Sequence, residues 1–272
     1  MPINSLPYVV LLVLTELAVG CLWALAVLQA RSDVAWSFLK FGGAVATTLA
    51  ALALGVSVLV PIPEEVEGYL LNEELAGPAR GLLALFLGAA SAYTLTALKE
   101  EKNQALAMAA VGSVAGLGAI ALWAGAFYPP TWGYMGAFLS LSAGAAVVGS
   151  AVMGMILGHW YLVTPRLSER PLTALTVLLM MAFGLQGLVT ALGLLLPHDS
   201  LSGDDTGSSF PFLWLRVGGG MVFPFALAYM AYQCSATRAM QSATGLLYIV
   251  MALVLAGEVV AKGLLLATGV AL

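Results

Sequence analysis

PYVVLLVLTELAVGCLWALAVLQ, residues 7–29, decides the fold. Glu16 is the one formally charged side chain in this run. An α-helix rises about 1.5 Å per residue, so about 20 apolar residues cross the ~30 Å of bilayer hydrocarbon. Hydrocarbon offers no partner to a backbone N–H or C=O, so such a run satisfies them internally, as a helix. The first arginine, Arg31, follows the run instead of preceding it. A secretory signal carries its basic residues ahead of a shorter apolar core, so 7–29 reads as a retained span.

Seven further segments have the same character: 36–60, 79–98, 105–127, 134–163, 171–196, 211–233 and 243–270. The expected fold is all-α, a polytopic transmembrane bundle of about eight spans in a single domain over 1–272. Composition agrees. Of 272 residues, 61% are hydrophobic and 9% charged, against about 25% charged in a soluble domain. Mean hydropathy is +0.98. A chain this poor in charge cannot cover a water-facing surface. Pro61, Pro63, Pro129, Pro130, Pro165 and Pro197 stand where helices should stop, and Trp36, Tyr128, Trp132, Trp160 and Trp214 stand at expected membrane interfaces.

Alternate connections divide by charge. One set carries Arg31, Lys99, Lys102, Arg166, Arg170 and Arg238. The other carries Glu64, Glu65, Glu67, Glu73, Glu74, Asp199, Asp204 and Asp205, with Arg80 as its basic exception. Excess Lys and Arg mark the cytoplasmic side. The chain is therefore expected in a bacterial-type cytoplasmic membrane, with loops 61–78 and 197–210 and both termini outside. Glu64 to Glu74 is expected to form a short amphipathic helix on the membrane, and PHDSLSGDDTGSS (197–209) a polar loop. The net charge of −4 excludes a nucleic-acid partner, which needs a basic face.

Ionisable groups at membrane depth are costly, so each is a functional candidate. Glu16 lies near the middle of the first span. Glu258 and Lys262, in GEVVAK (257–262), are four residues apart and stack on one helix face. Arg216 enters the seventh span from its outer end. Glu16 and Glu258 are the expected proton acceptors, with Lys262 and Arg216 as their charge partners, around a polar cavity open to the outside. Gln186 must find a hydrogen-bond partner inside the bundle, and Lys40 sits about one turn inside the second span.

GHWYLVTP (158–165) supplies a second candidate at the basic end. His159 with Tyr161 can bond a quinone oxygen, relay a proton or ligate a haem b. The only other histidine, His198, lies at the opposite side, so a two-haem cytochrome b is excluded and a haem would need Met230, Met251 or an open position beside His159. Cys21 and Cys234 lie in apolar segments and read as small hydrophobes; no region offers enough His or Cys for zinc or copper. There is no P-loop, HExxH, CxxC or GxSxG. Gly112 with Gly116, and Gly154 with Gly158, form GxxxG pairs suited to close helix packing.

LPYVVLLVLTELAVG (6–20) resembles the opening helix of the eight-span membrane anchors of molybdopterin oxidoreductases, of the dimethyl-sulfoxide-reductase and polysulfide-reductase type. The resemblance covers about residues 5–20, and Glu16 and Gly20 are the positions that align. It implies an anchor that carries no haem of its own, binds a quinol near the outer face and docks an iron–sulfur subunit. The leading expectation is a quinone-interacting membrane subunit of a respiratory complex, held among lipids and partner subunits, with buried carboxylates handling protons. The alternatives are a proton-coupled transporter, a non-catalytic anchor or scaffold, and a single-haem cytochrome using His159.

Overall fold

The computed structural model describes residues 5–62, 65–66, 69–127, 133–164, 167–195 and 211–268, with backbone alone at 65–66, 69–70 and 268. Eight helices among them are long and apolar enough to cross a membrane. They are α1 (Leu6–Arg31), α2 (Trp36–Leu59), α3 (Ala76–Leu98), α4 (Lys102–Ala126), α5 (Gly133–Val163), α6 (Arg170–Leu195), α7 (Pro211–Ala236) and α8 (Met240–Thr268). The protein is a polytopic transmembrane helix bundle, and each expected span matches one helix to within a few residues.

The connection after α2 departs from expectation. Glu65–Val66 pairs antiparallel with Tyr69–Leu70, and Glu73–Leu75 forms one 3-10 turn leading into α3. The expected amphipathic helix over this stretch is therefore absent from its described part. Asn72 caps the 3-10 turn through its side chain, accepting from the Glu74 N–H. Turn chemistry of this kind competes with a helix nucleus. The 197–210 loop, Arg166 and His198 lie outside the described residues.

The helices form two rings of four. α1, α2, α3 and α4 close one ring in chain order, and α5, α6, α7 and α8 close the other. The rings join along α1 and α5, which run parallel and are the two most buried spans. This seam is made by small residues. A Cβ placed on Gly149 would overlap the Gly20 backbone, and one on Gly20 would overlap the Ala145 carbonyl. Backbone thus lies on backbone, the close approach that favours association in lipid. Three of the four GxxxG glycines sit in tight contacts, whereas Gly154 has room for a Cβ 3.5 Å from the Leu247 side chain. Gly112 and Gly116 admit Leu22 and Val19 of α1, and Gly158 admits Thr244 of α8.

α7 is irregular. Leu215–Val222 is a π-helix, with the Phe223 N–H reaching back five residues to the Gly218 carbonyl. Two sequence features account for it. Gly218-Gly219-Gly220 weakens the ordinary helical turn, and Pro224 supplies no N–H to the preceding turn. Gly220 packs on Gly257 of α8; a Cβ on either would stand 2.7 or 2.6 Å from the other's Cα. That contact sets Arg216 of α7 beside Glu258 of α8.

Candidate functional site

Glu16, Arg216, Glu258, Lys262 and Gln186 converge in the interior, at the α1–α5 seam and the α6–α7–α8 ring. Glu258 is the hub. Its Oε1 accepts from Arg216 Nη1 at 2.8 Å and from the Gln186 side-chain amide, and its Oε2 accepts from Lys262 Nζ at 2.6 Å. Lys262 bridges onward to Glu16 Oε1, also at 2.6 Å. Two carboxylates and two cations make the formal charge zero. The four charged side chains are 0–1% exposed.

Each helix contributes for a local reason. Glu258 and Lys262 are stacked by their i, i+4 spacing. Arg216 is turned inward by the π-helical turn instead of snorkelling toward its near membrane face. Gln186 faces the ring interior from α6. Glu16 approaches across the seam because Gly144 of α5 leaves room. A Cβ at Gly144 would stand 2.7 Å from Glu16 Oε1 and 2.8 Å from Glu258 Oε2. Gly144→Ala should push a carboxylate off Lys262 and cost about 1–3 kcal/mol as an overpacked site. Unfolding of the variant in detergent measures this, and a stability equal to that of the parent chain would refute the role given to Gly144.

The sequence expectation of an outward-open polar cavity is corrected. The predicted residues meet in a buried, charge-balanced contact, with the seam and the Gly220–Gly257 approach packed around them. The two acids differ within it. Glu258 accepts from three donors, whereas Glu16 pairs with Lys262 and its Oε2 has no hydrogen-bond partner among the described residues. Gln186 Oε1 is likewise without one. Glu258 lies four residues from the middle of α8, ~6 Å toward its C-terminal end, and Arg216 lies ~8 Å inside α7 from Pro211.

The second candidate divides. Tyr161 is buried, and its hydroxyl donates to the Ser168 carbonyl, fastening the α5–α6 turn. His159, two residues earlier, faces the other way and is exposed, with its Nδ1 3.2 Å from the Tyr248 hydroxyl of α8. The two rings meet edge to face. Together with Phe41, Trp160 and Met155 they line a cleft of about 480 Å³ between α2, α5 and α8. Lys40 belongs to neither site; it pairs with Glu100 at 2.8 Å across the basic end. Met230, a candidate haem partner, is 48% exposed on the outer face of α7.

Sequence reasoning missed Tyr248 and Gly144. Tyr248 in SATGLLYI (242–249) looks like an interfacial aromatic, and only the antiparallel α5–α8 register brings it to His159. Gly144 sits in an Ala/Gly/Ser-rich stretch where nothing distinguishes it from packing glycines. In comparisons with known proteins, no family model matches the chain, and no curated protein matches it.

Proposed function

We propose that this polytopic membrane protein is the quinone-interacting, proton-handling membrane subunit of an electron-transfer complex. The observation that carries the reading is the buried Glu16–Lys262–Glu258–Arg216 network, and above all the asymmetry between its acids. An embedded carboxylate with three donors is fixed as an anion. One with fewer donors, and with an oxygen that lacks a hydrogen-bond partner among the described residues, can take and release a proton at a smaller electrostatic cost. Glu16 is the proton carrier in this reading, Glu258 the fixed countercharge, and Lys262 the swinging cation between them.

The quinone is assigned to the His159–Tyr248 cleft. Its volume falls within the ~300–1,000 Å³ usual for small-molecule sites. Its walls are apolar and aromatic, as a flat ring requires, and a histidine–tyrosine pair offers hydrogen bonds to a ring oxygen. A bound quinone accepts two electrons and two protons on reduction, the electrons coming from a redox group on a partner subunit. His159 and Gly144 are fifteen residues apart on α5, ~22 Å along the helix. The cleft and the network thus occupy opposite halves of the membrane, an arrangement suited to taking protons up at one side while moving charge across the other.

The reading is tested in the complex purified with its native partners and reconstituted in vesicles. Glu16→Gln should leave the chain folded and lower proton movement per turnover by about 10²-fold, the lower end of what a positioned proton carrier contributes. His159→Ala and Tyr248→Phe should raise the quinone concentration needed for half-maximal rate while leaving the network intact. Unchanged proton movement in Glu16→Gln refutes the proton role; unchanged quinone dependence in both cleft variants refutes the quinone site.

A structural reading is favoured by one specific observation, the zero net charge of a sealed network. It predicts that Glu16→Gln changes stability and leaves proton movement untouched, so the same experiment separates the two.

A further inference from the structure

The basic end holds a second cleft, of about 610 Å³, between α1, α6 and α7. We propose that it binds one anionic phospholipid, with the phosphate held between Arg31 and Arg170 and an acyl chain laid against Val27, Leu178 and Met181. The site is separate from the charged network and from the His159 cleft, and it does not depend on the function proposed above.

The charge at the mouth is the first argument. Arg31 ends α1 and Arg170 opens α6, and both line the cleft. Neither forms a salt bridge among the described residues. Glu169 stands in the same mouth, but its carboxylate is committed to Arg238, whose Nη2 is 2.6 Å away. Its carboxyl is held below the usual carboxylate range, first by its own backbone N–H and then by the Arg238 hydrogen bond, with Arg170 adding the weakest attraction. It therefore remains an anion already engaged. Two guanidinium groups are left to face the opening, and the guanidinium fork matches a phosphate's oxygens.

Depth is the second argument. Arg31 and Arg170 are at helix ends, at the level of lipid headgroups, while the cleft walls continue into the apolar part of the bundle. Leu28 and Leu175 form its floor, and Leu178 and Met181 carry it two to three turns along α6. A soluble anion would use the arginines and leave these walls bare. A phospholipid uses both, and basic pockets between membrane helices are suited to such headgroups. The start of α6 adds the partial positive charge of a helix N-terminus beside the phosphate.

The test uses the full chain, stripped of lipid in a neutral detergent. Phosphatidylglycerol should bind as one retained molecule in native mass spectrometry and raise the unfolding temperature, whereas phosphatidylcholine at the same concentration should do so much less. The Arg31→Gln/Arg170→Gln double variant should lose at least about tenfold in phosphatidylglycerol affinity, because it removes both charge-assisted contacts to the phosphate. Ala174→Phe, which fills the cleft and keeps both arginines, should lose binding as well. Equal binding of the two lipids overturns the proposal, as does an equal effect of inorganic phosphate or of a Glu-rich peptide. Full binding by Ala174→Phe overturns it too, because the arginines alone would then suffice. Where the double variant fails to fold, the two-lipid competition on the parent chain and Ala174→Phe decide the matter.

Discussion

Lys262→Met is expected to destabilise the folded chain by about 3–5 kcal/mol, the usual consequence of removing one partner from a buried ion network. Lys262 touches both acids, at 2.6 Å from each. Without it, Glu16 and Glu258 face each other across Gly144 with only Arg216 to offset them, and one carboxylate must take up a proton or draw in water. Adding Glu16→Gln to Lys262→Met removes the stranded charge and leaves the neutral Arg216–Glu258 pair. The double variant should therefore be more stable than Lys262→Met alone, a coupling that independent sites do not show. Equilibrium unfolding of the four proteins in one detergent measures it. Strict additivity would mean that Lys262 and Glu16 do not interact, and the network as described would fail with it.

The spans were legible because the length of an apolar run is a one-dimensional property, read directly from the chain. The charged residues were legible for a related reason. With 9% of residues charged, any acid or base inside a span stands out, and the i, i+4 spacing of Glu258 and Lys262 pairs them without further knowledge. Their meeting with Glu16 and Arg216 was foreseen as a cavity but found as a sealed contact. The difference lies in how near the helices come. That is set by Gly20 against Gly149 and Gly220 against Gly257, four glycines among thirty, and a sequence does not say which glycine faces which. The His159 partner was misassigned for the same reason. Tyr161 is near in sequence, but i, i+2 residues point apart on a helix, and Tyr248 becomes the neighbour only through the register of α5 on α8. The π-helical turn had a visible signal in Gly218–Gly220 followed by Pro224, yet its consequence, an arginine aimed inward, belongs to the three-dimensional packing.

Gly149→Ala is expected to cost about 3 kcal/mol, the upper end of ordinary overpacking. The added carbon would lie inside the Gly20 carbonyl group. Backbone atoms cannot rotate aside as a side chain can, so α1 and α5 must separate along the seam that joins the two four-helix rings. Glu16 lies one turn from Gly20 on α1, and Gly144 lies on α5 near Gly149, so the same separation carries Glu16 away from Lys262. Stability and proton movement should therefore fall together in this variant, whereas Glu16→Gln should affect mainly the second. Gly184→Ala and Gly187→Ala on α6 are the matched controls, since a Cβ at either meets nothing within 4 Å. There the methyl should be neutral or gain up to about 1 kcal/mol of helix propensity. If Gly149→Ala unfolded at the same denaturant concentration as these controls, the helices would not be in backbone contact at the seam, and the approach of Glu16 to Lys262 that depends on this contact would be lost.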